Sequence, residues 1–472
     1  MGKVRWTARA VVFIILGLTL IPAPQNIPVP DSCKPVKLEK EKVTPQTERK
    51  FDLVVMGATG FTGKLVVDYL ARTQKDLNWA IAGRNRGKLV ALLSDVDVND
   101  NKKPEIIVAD SLDAEALTLL AQSTKVVVST AGPYTSFGMP LVQACAEEGT
   151  HYADLSGEFF FQRDAMNKHA VTAQKTGSKI VVAAGYDSVP FDLGAALAVR
   201  ELEKIAGPPP LSSTTSIRSM VTNGRGWLSG GTLAAMVIGV KEAVTGVKTG
   251  KMTFEESNDP YILIPEANGL EHGCVRVDTE ATGFGSLPRF DAVLGHFGVP
   301  HFMAYVNSRI VRRSMFLNDP ARRISYSEGM SFGAAIDAFV WAVPHILRGE
   351  AKLLPAPGEG PSEVMRETGG YEMKVVATRD DSEDKVEIKG VGYGDPGYAH
   401  TSKILSEIGL CLADSGCHKK DMKTVGGVLT ATSALDLDFL RARLAAAKHE
   451  TGESLLSYVV TVGGGKGENS EL

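Results

Sequence analysis

Between Phe51 and Ala184 the chain alternates short apolar runs with stretches in which apolar residues return every three to four positions. The runs are Phe51–Met56 (FDLVVM), Trp79–Ala82, Glu105–Ala109, Lys125–Thr130, His151–Leu155 and Lys179–Ala184 (KIVVAA). They are short and mostly continuous rather than strictly alternating, which is how strands covered on both faces read. Lys64–Arg72, Asp113–Gln122, Met139–Glu148 and Phe160–Lys175 carry the helical period. Six such βα-like units predict an α/β fold, a Rossmann-type doubly wound parallel sheet. Beyond Pro208 the local patterns mix, with strand-like Thr215–Thr222 and a helix opening at Thr232, so a second α+β domain is expected there.

The turn after the first strand carries the first candidate chemistry. Gly57-Ala58-Thr59-Gly60-Phe61-Thr62-Gly63 stands between strand and helix, the context in which a glycine motif is credible as a dinucleotide site. Gly57 allows the tight turn, Gly60 lets backbone approach a pyrophosphate, and Gly63 lets the helix pack close to the strand. The free N–H groups and positive dipole end of the helix then face the phosphates. The spacing is GxxGxxG rather than the commoner GxGxxG. Gly57, Thr59, Gly60, Phe61, Thr62 and Gly63 are the cofactor-binding candidates of this turn.

The end of the second strand refines the cofactor. NAD sites place an acid there for the ribose hydroxyls, whereas this chain has Gly83-Arg84-Asn85-Arg86. Arg84 and Asn85 suit a 2′-phosphate, so NADP(H) is expected over NAD(H). Ligands of such sheets sit at the carboxyl ends of the strands. That rule selects Asp110 for the adenosine side, Ala131, Gly132, Pro133 and Tyr134 for the nicotinamide side, and Gly185–Ser188 beyond. Reduction also needs a proton. Tyr134 is the leading donor candidate and Asp187 the second, with His151, Tyr152, Asp154 and Tyr186 nearby. Asp187-Ser188-Val189-Pro190 reads equally as the cap of a helix beginning near Phe191. No Tyr-x-x-x-Lys pair of short-chain reductase type occurs in this region.

Composition narrows the classes. At 472 residues the chain exceeds the ~250–300 at which single cores stop growing. With 44% hydrophobic and 22% charged residues it can bury a sizeable core, and a net charge of −4 without a basic block argues against nucleic acid. None of the five cysteines lies in a CxxC pair, which argues against a metal site. Cys411 and Cys417 read as free thiols of a reduced compartment rather than a bridge.

Several segments together carry a resemblance. GATGFTG, AGRNRGKL, STAGPYTSFG, GTHYADLSGE and AAGYDSVPFDLG are similar to saccharopine dehydrogenase-like oxidoreductases, in the branch with the trans-acting enoyl reductases and eukaryotic lipid-droplet relatives. The likeness continues through SGGT (Ser229–Thr232), FMAYVNSRIVRRS (Phe302–Ser314), YSEGM (Tyr326–Met330), GEGPSE (Gly358–Glu363), GDPGYAHTSKILSE (Gly394–Glu407) and GGVLT (Gly426–Thr430), covering Phe51 to about Leu444. It implies an NAD(P)-dependent reductase of a small, lipid-like enoyl or keto substrate, working at a membrane or lipid-droplet surface, with a homodimer among the assemblies it allows. A role in glycolipid or other lipid biosynthesis follows from the same likeness. A saccharopine-type amino-acid dehydrogenase is the reading that the family name alone would suggest.

The resulting division is 1–24 as a hydrophobic signal or anchor, 25–50 as linker, 51–200 as the NADP-binding domain, 201–395 as the substrate domain and 396–472 as a C-terminal helical segment packing back on the body. Lys3, Arg5 and Arg9 before the apolar run Ala10–Ile21 give the N-terminus its signal-anchor character and point to membrane association, with secretory or organellar targeting as the other outcomes. Met330–Leu347 is mostly apolar but carries Asp337, so it reads as a buried or amphipathic helix, or as a membrane- or acyl-contacting one. Arg309, Arg312, Arg313, Arg322 and Arg323 before it form a basic neighbourhood suited to anionic headgroups or to a solvated face. Two other classes fit the residues: an NADP(H)-sensing regulator without turnover, and a membrane or lipid-droplet scaffold.

Overall fold

The computed structural model describes residues 43, 46–96, 103–227, 229–230, 253–264, 288–356, 358–419, 426–463 and 469–471, with scattered positions between 232 and 248. The N-terminal segment 1–24 and most of the linker lie outside the described residues, as do Cys33 and Cys274.

The first sheet has seven strands in the order β13-β6-β5-β4-β1-β2-β3. β1 (Phe51–Met56), β2 (Trp79–Gly83), β3 (Glu105–Val108), β4 (Thr124–Ser129), β5 (His151–Asp154) and β6 (Lys179–Val181) correspond to the six apolar runs. All neighbours are parallel, with Leu53 beside Val126 and Trp79 and Val128 beside Ala153. Alternation sends Leu53 and Val55 into one core and Val54 and Met56 into another, so β1 is covered on both faces. The seventh strand, β13 (Gly427–Leu429), arrives from the far end of the chain and pairs with β6. Three residues are too few to show a period.

The second sheet holds eight strands in the order β15-β14-β12-β11-β7-β10-β9-β8. They are β7 (Thr214–Arg225), β8 (Arg289–Asp291), β9 (His296–Pro300), β10 (Arg323–Ser331), β11 (Gly370–Arg379), β12 (Lys385–Tyr393), β14 (Leu456–Gly463) and β15 (Asn469–Glu471). β7 and β10 run parallel, and the remaining pairs are antiparallel. The segment 396–472 therefore serves both sheets. Its helix Thr401–Ala413 packs on β4 and β5, β13 extends the first sheet, and β14 and β15 extend the second.

One buried cluster joins the sheets. It contains Leu53, Val55 and Val128 from the first, Ile217, Met373, Val375, Val386 and Ile388 from the second, and Phe191, Leu193 and Leu197 from the helix Val189–Ala206. That helix packs on β11 and β12 and is apolar nearly all round, as a helix between two sheets must be. Cys145, Cys411 and Cys417 are buried free thiols.

The basic neighbourhood is corrected by this packing. Arg309, Arg312 and Arg313 sit on the helix Ala304–Asn318 and are buried. Arg309 donates to Ser257 O (3.0 Å) and Tyr305 O and lies 3.9 Å from the centroid of the Tyr305 ring. Arg312 donates to Tyr326 O (2.8 Å), and Arg313 to Leu263 O (2.5 Å) and Val428 O. Backbone carbonyls thus solvate these guanidiniums, which offer no charge to a headgroup or to water. Arg322 pairs with Glu203 and Asp319 at the edge.

The apolar stretch after them forms the helix Phe332–Leu347, because Met330 and Ser331 complete β10 and the Ser331 hydroxyl caps Ala334 N–H (3.0 Å). Its buried side is Ala334, Ala342 and His345, while Phe332, Ile336, Phe339, Val340 and Leu347 face outward. Among the described residues no helix is long and apolar enough to cross a membrane.

Candidate functional site

The glycine turn follows β1 directly. Gly57 takes φ +81°, and the N–H groups of Gly57 and Ala58 bond to Ala82 O (3.0 and 3.3 Å) at the end of β2. A Cβ on Gly57 would lie 2.8 Å from Ala131 N, and one on Gly63 would lie 2.3 Å from Gly57 O. The protein's own packing accounts for both glycines. Gly60 differs: it is exposed, and a Cβ there would meet only Gly57 O at 3.3 Å. Its missing side chain leaves backbone bare in front of the helix Phe61–Thr73, whose first turn has no side-chain cap and no acid. Thr59, Phe61 and Thr62 flank it half-buried. An uncapped helix start beside an exposed glycine offers N–H groups that could hold a pyrophosphate.

At the adenosine end Arg84 is exposed one residue past β2 and makes no ion pair among the described residues. Asn85 is the N-cap of the helix Arg86–Asp95, its Oδ1 accepting from Lys88 N–H (3.0 Å). Asp110 is exposed beyond β3 and accepts from Leu112 N–H (3.0 Å). Two of these three side chains are thus partly spent on local turns, and the Arg84 guanidinium is the one available to a 2′-phosphate.

At the nicotinamide end β4 runs into Ala131, half-buried, exposed Gly132, and Pro133 after a cis peptide bond. Tyr134 does not turn to the cleft. Its hydroxyl donates to Ser129 O (2.9 Å) and accepts from Leu155 N–H (3.2 Å), and burial raises it well above the ordinary phenol range. It braces the turn, with its proton held inside the sheet domain. Its N–H donates to Glu158 (2.9 Å), a buried carboxyl pushed up to about 7 by desolvation. Asp154 is likewise pushed up to about 6 by burial while accepting from Tyr152, Ser156 and Ala183.

Asp187 lies half-buried in the turn between β6 and the helix Val189–Ala206. Burial pushes its carboxyl up to about 6, opposed by His301 and reinforced by Glu328. Its neighbour Ser188 holds the N-cap position, yet its hydroxyl makes no cap and donates instead to Asn307 Oδ1 (3.0 Å). Asn307 donates onward to Glu328 Oε1 (2.9 Å), which also accepts from His301 Nδ1 (2.7 Å), and Tyr326 donates to Glu328 Oε2 (2.7 Å). A wholly buried carboxylate is thus met by three donors, the condition for keeping it in the interior.

Residues 185–188, 301–307 and 326–328 therefore meet past the end of β6. Sequence reasoning found Asp187 and missed His301, Asn307, Tyr326 and Glu328. Three of these four stand inside the FMAYVNSR and YSEGM segments, the one available signal, and no local spacing links them. Among the described residues no group of His, Cys, Asp and Glu could hold a metal.

The chain is similar to several known proteins. Residues 53–181 match the saccharopine dehydrogenase NADP binding domain family. A Mycobacterium tuberculosis protein bearing the name trans-acting enoyl reductase is 36% identical over 428 residues, 85% of this chain and 97% of that one. The trans-acting enoyl reductases of Mycobacterium ulcerans and Mycobacterium bovis are 30% and 31% identical, over 84% and 87% of this chain and 96% and 99% of theirs. Among solved structures, the L-Glu-forming saccharopine dehydrogenase of Saccharomyces cerevisiae is a distant likeness: 14% identity and TM-score 0.38 over 86% of this chain and 99% of that one.

Proposed function

Because the chain belongs to the trans-acting enoyl reductase family and is an NADP-dependent oxidoreductase, we propose that it reduces a lipid-like enoyl or keto substrate in glycolipid or other lipid biosynthesis. The observation that carries the reading is the pairing of the exposed, uncapped helix start at Gly60, past β1, with a half-buried Asp187 carboxyl past β6, three strands along the same sheet. The glycine turn holds the pyrophosphate, Arg84 the 2′-phosphate, and Ala131–Pro133 the nicotinamide side. When bound, NADPH supplies a hydride. Asp187, whose protonated form burial favours, gives its proton to the α-carbon of an enoyl group as the β-carbon gains the hydride. The carbon–carbon π bond breaks, two C–H bonds form, and the Asp187 carboxylate regains a proton from solvent. The Ser188–Asn307–Glu328 bonds fix the turn that carries Asp187. The direct experiment follows nicotinamide absorbance with the full chain, NADPH and a panel of enoyl and keto lipids. Turnover with an enoyl lipid is expected, and a protein that binds NADPH but reduces none of the panel would leave only the sensing reading.

A peripheral place at a lipid surface is supported by one further feature, the outward face of the helix Phe332–Leu347. Phe339 is 69% and Leu347 82% exposed, and Phe290 and Phe297 stand exposed on the neighbouring β8–β9 hairpin with ring centroids 5.2 Å apart. Seven such side chains, on the order of 100 Å² apiece, exceed the few hundred Å² of an ordinary surface patch. Phe339→Ser with Val340→Ser in the full chain should at least halve the fraction floating with phospholipid vesicles. Unchanged flotation sinks this reading. A loss of dimer mass in the variant would make the face a contact between two copies instead.

A further inference from the structure

The cofactor cradle described above is open on the side facing the second sheet, and three groups from that side converge on Phe61, the first residue of the helix. The Tyr398 ring meets the Phe61 ring edge-on, with centroids 5.2 Å apart at 83°. Gly360 comes so close that a Cβ on it would lie 2.5 Å from Phe61 Cζ. The Arg366 guanidinium lies 5.7 Å from the Phe61 ring centroid.

We infer that the segment 358–366 forms the outer wall of the cofactor site and that Arg366 makes an ionic contact with the cofactor's pyrophosphate. The inference rests on the NADP reading of the glycine turn. It starts from a charge that the protein leaves unmatched. Arg366 is half-buried, donates one N–H to Pro361 O (2.9 Å), and makes no ion pair among the described residues. The acid whose field it feels is Asp395, which is fully buried and committed to the N–H groups of Trp227 (3.1 Å) and Tyr398 (2.8 Å). Glu363 and Glu367, on the short helix of Arg366 itself, are exposed, and Glu359 pairs with Lys352 (2.5 Å). The Arg366 guanidinium thus stands beside the first residue of the helix Phe61–Thr73, where its charge adds to the positive helix end in favouring an anion at that start.

The wall is braced from behind, so it is a fixed part of the site. Asp395 N–H donates to Arg366 O (2.7 Å), Gly394 N–H to Gly369 O (3.1 Å), and Gly230 N–H to Glu359 O (3.0 Å). The Tyr398 hydroxyl bonds Thr232 Oγ1 and Ser229 N–H. These bonds hold Arg366 and Tyr398 in place whether or not the cradle is filled.

The test measures affinity rather than turnover, using the full chain and two probes: NADPH, and 2′-phosphoadenosine, which carries the 2′-phosphate but no pyrophosphate. Arg366→Gln should weaken NADPH at least tenfold and flatten the salt dependence of its binding. The same variant should leave 2′-phosphoadenosine affinity and the apoprotein's melting temperature unchanged. Arg366→Lys, which keeps the charge, should stay within about threefold of wild type. NADPH affinity retained in a folded Arg366→Gln protein overturns the inference, as does an equal loss for both probes. Wild-type protein that binds neither probe overturns the cofactor reading itself, an outcome distinct from the other two.

Discussion

The glycine turn draws its phosphate-facing groups from seven consecutive residues, 57–63, whereas the polar cluster around Glu328 draws on Ser188, His301, Asn307 and Tyr326. The first follows β1 and the second joins the turn after β6 to β10 of the other sheet, and they are built by opposite means. In the turn, Gly60 and Gly63 are placed by their distances to Gly57 and Ala58, and Gly57 by its distance to Thr130 and Ala131 past the next strand. In the cluster, no residue has a partner within its own turn except Tyr326, and the positions are set by the parallel pairing of β7 with β10 and by the helix Ala304–Asn318. In the proposed reading, local chemistry holds the cofactor, and long-range packing holds the groups around the reacting carbon.

The largest expected effect breaks the local half alone. Gly60→Val should abolish binding of NADPH and NADH, by about 1,000-fold or more, equivalent to roughly 4 kcal/mol. The protein should still fold, because a Cβ at Gly60 meets just one atom, at 3.3 Å. Gly63→Val is the contrast, since a Cβ there collides with Gly57 O and Ala58 and should lower the melting temperature. Isothermal titration with a thermal melt separates the two. Undiminished NADPH binding by folded Gly60→Val would take the phosphate site away from this turn.

A second experiment addresses the long-range half. Asp187 has its carboxyl raised to about 6 by burial, so it is protonated below that pH and ionised above it. A proton donor must carry its proton, so the rate should fall as pH rises through about 6. Asp187→Asn should lower kcat by about 100-fold and remove that limb, with the NADPH dissociation constant unchanged. A limb near pH 6 that survives in Asp187→Asn would assign the proton to another group, with Glu158 and Asp154 the nearest alternatives.

The same contrast governs what could be read in the sequence. The six apolar runs became β1 to β6 within one or two residues for five of them, because a buried strand between turn signals is a local pattern. β6 stopped at Val181, where Asp154 binds the Ala183 N–H and turns the chain away. Tyr134 stands just past the turn after β4, and its neighbours gave no sign that the hydroxyl would fold back to Ser129 O. The arginines of the helix Ala304–Asn318 looked like surface charge, since their carbonyl partners belong to Ser257, Leu263 and Val428. Ser188 had the residue type of a cap, but Asn307 took its hydroxyl. In each case the deciding partner lies far along the chain or on the far side of a turn.

The smallest expected effect sharpens the local half, at the place where residue type and position bear on the cofactor's identity. Arg84 stands exposed past β2 without an ion pair among the described residues, while its neighbours Asn85 and Asp110 bind backbone N–H groups. A 2′-phosphate contact should therefore rest mainly on Arg84, and losing one charge-assisted hydrogen bond costs about 1.5–3 kcal/mol. Arg84→Asp should weaken NADPH by about tenfold or more, and NADH much less, because an acid at the end of the second strand can accept from the ribose hydroxyls instead. The readout is the ratio of the two dissociation constants, which cancels general damage to the turn. Equal affinities for NADPH and NADH in the wild-type protein would sink the 2′-phosphate assignment. A wild-type preference that survives Arg84→Asp would pass the contact to Arg86 or Lys88, which follow on the exposed start of the next helix.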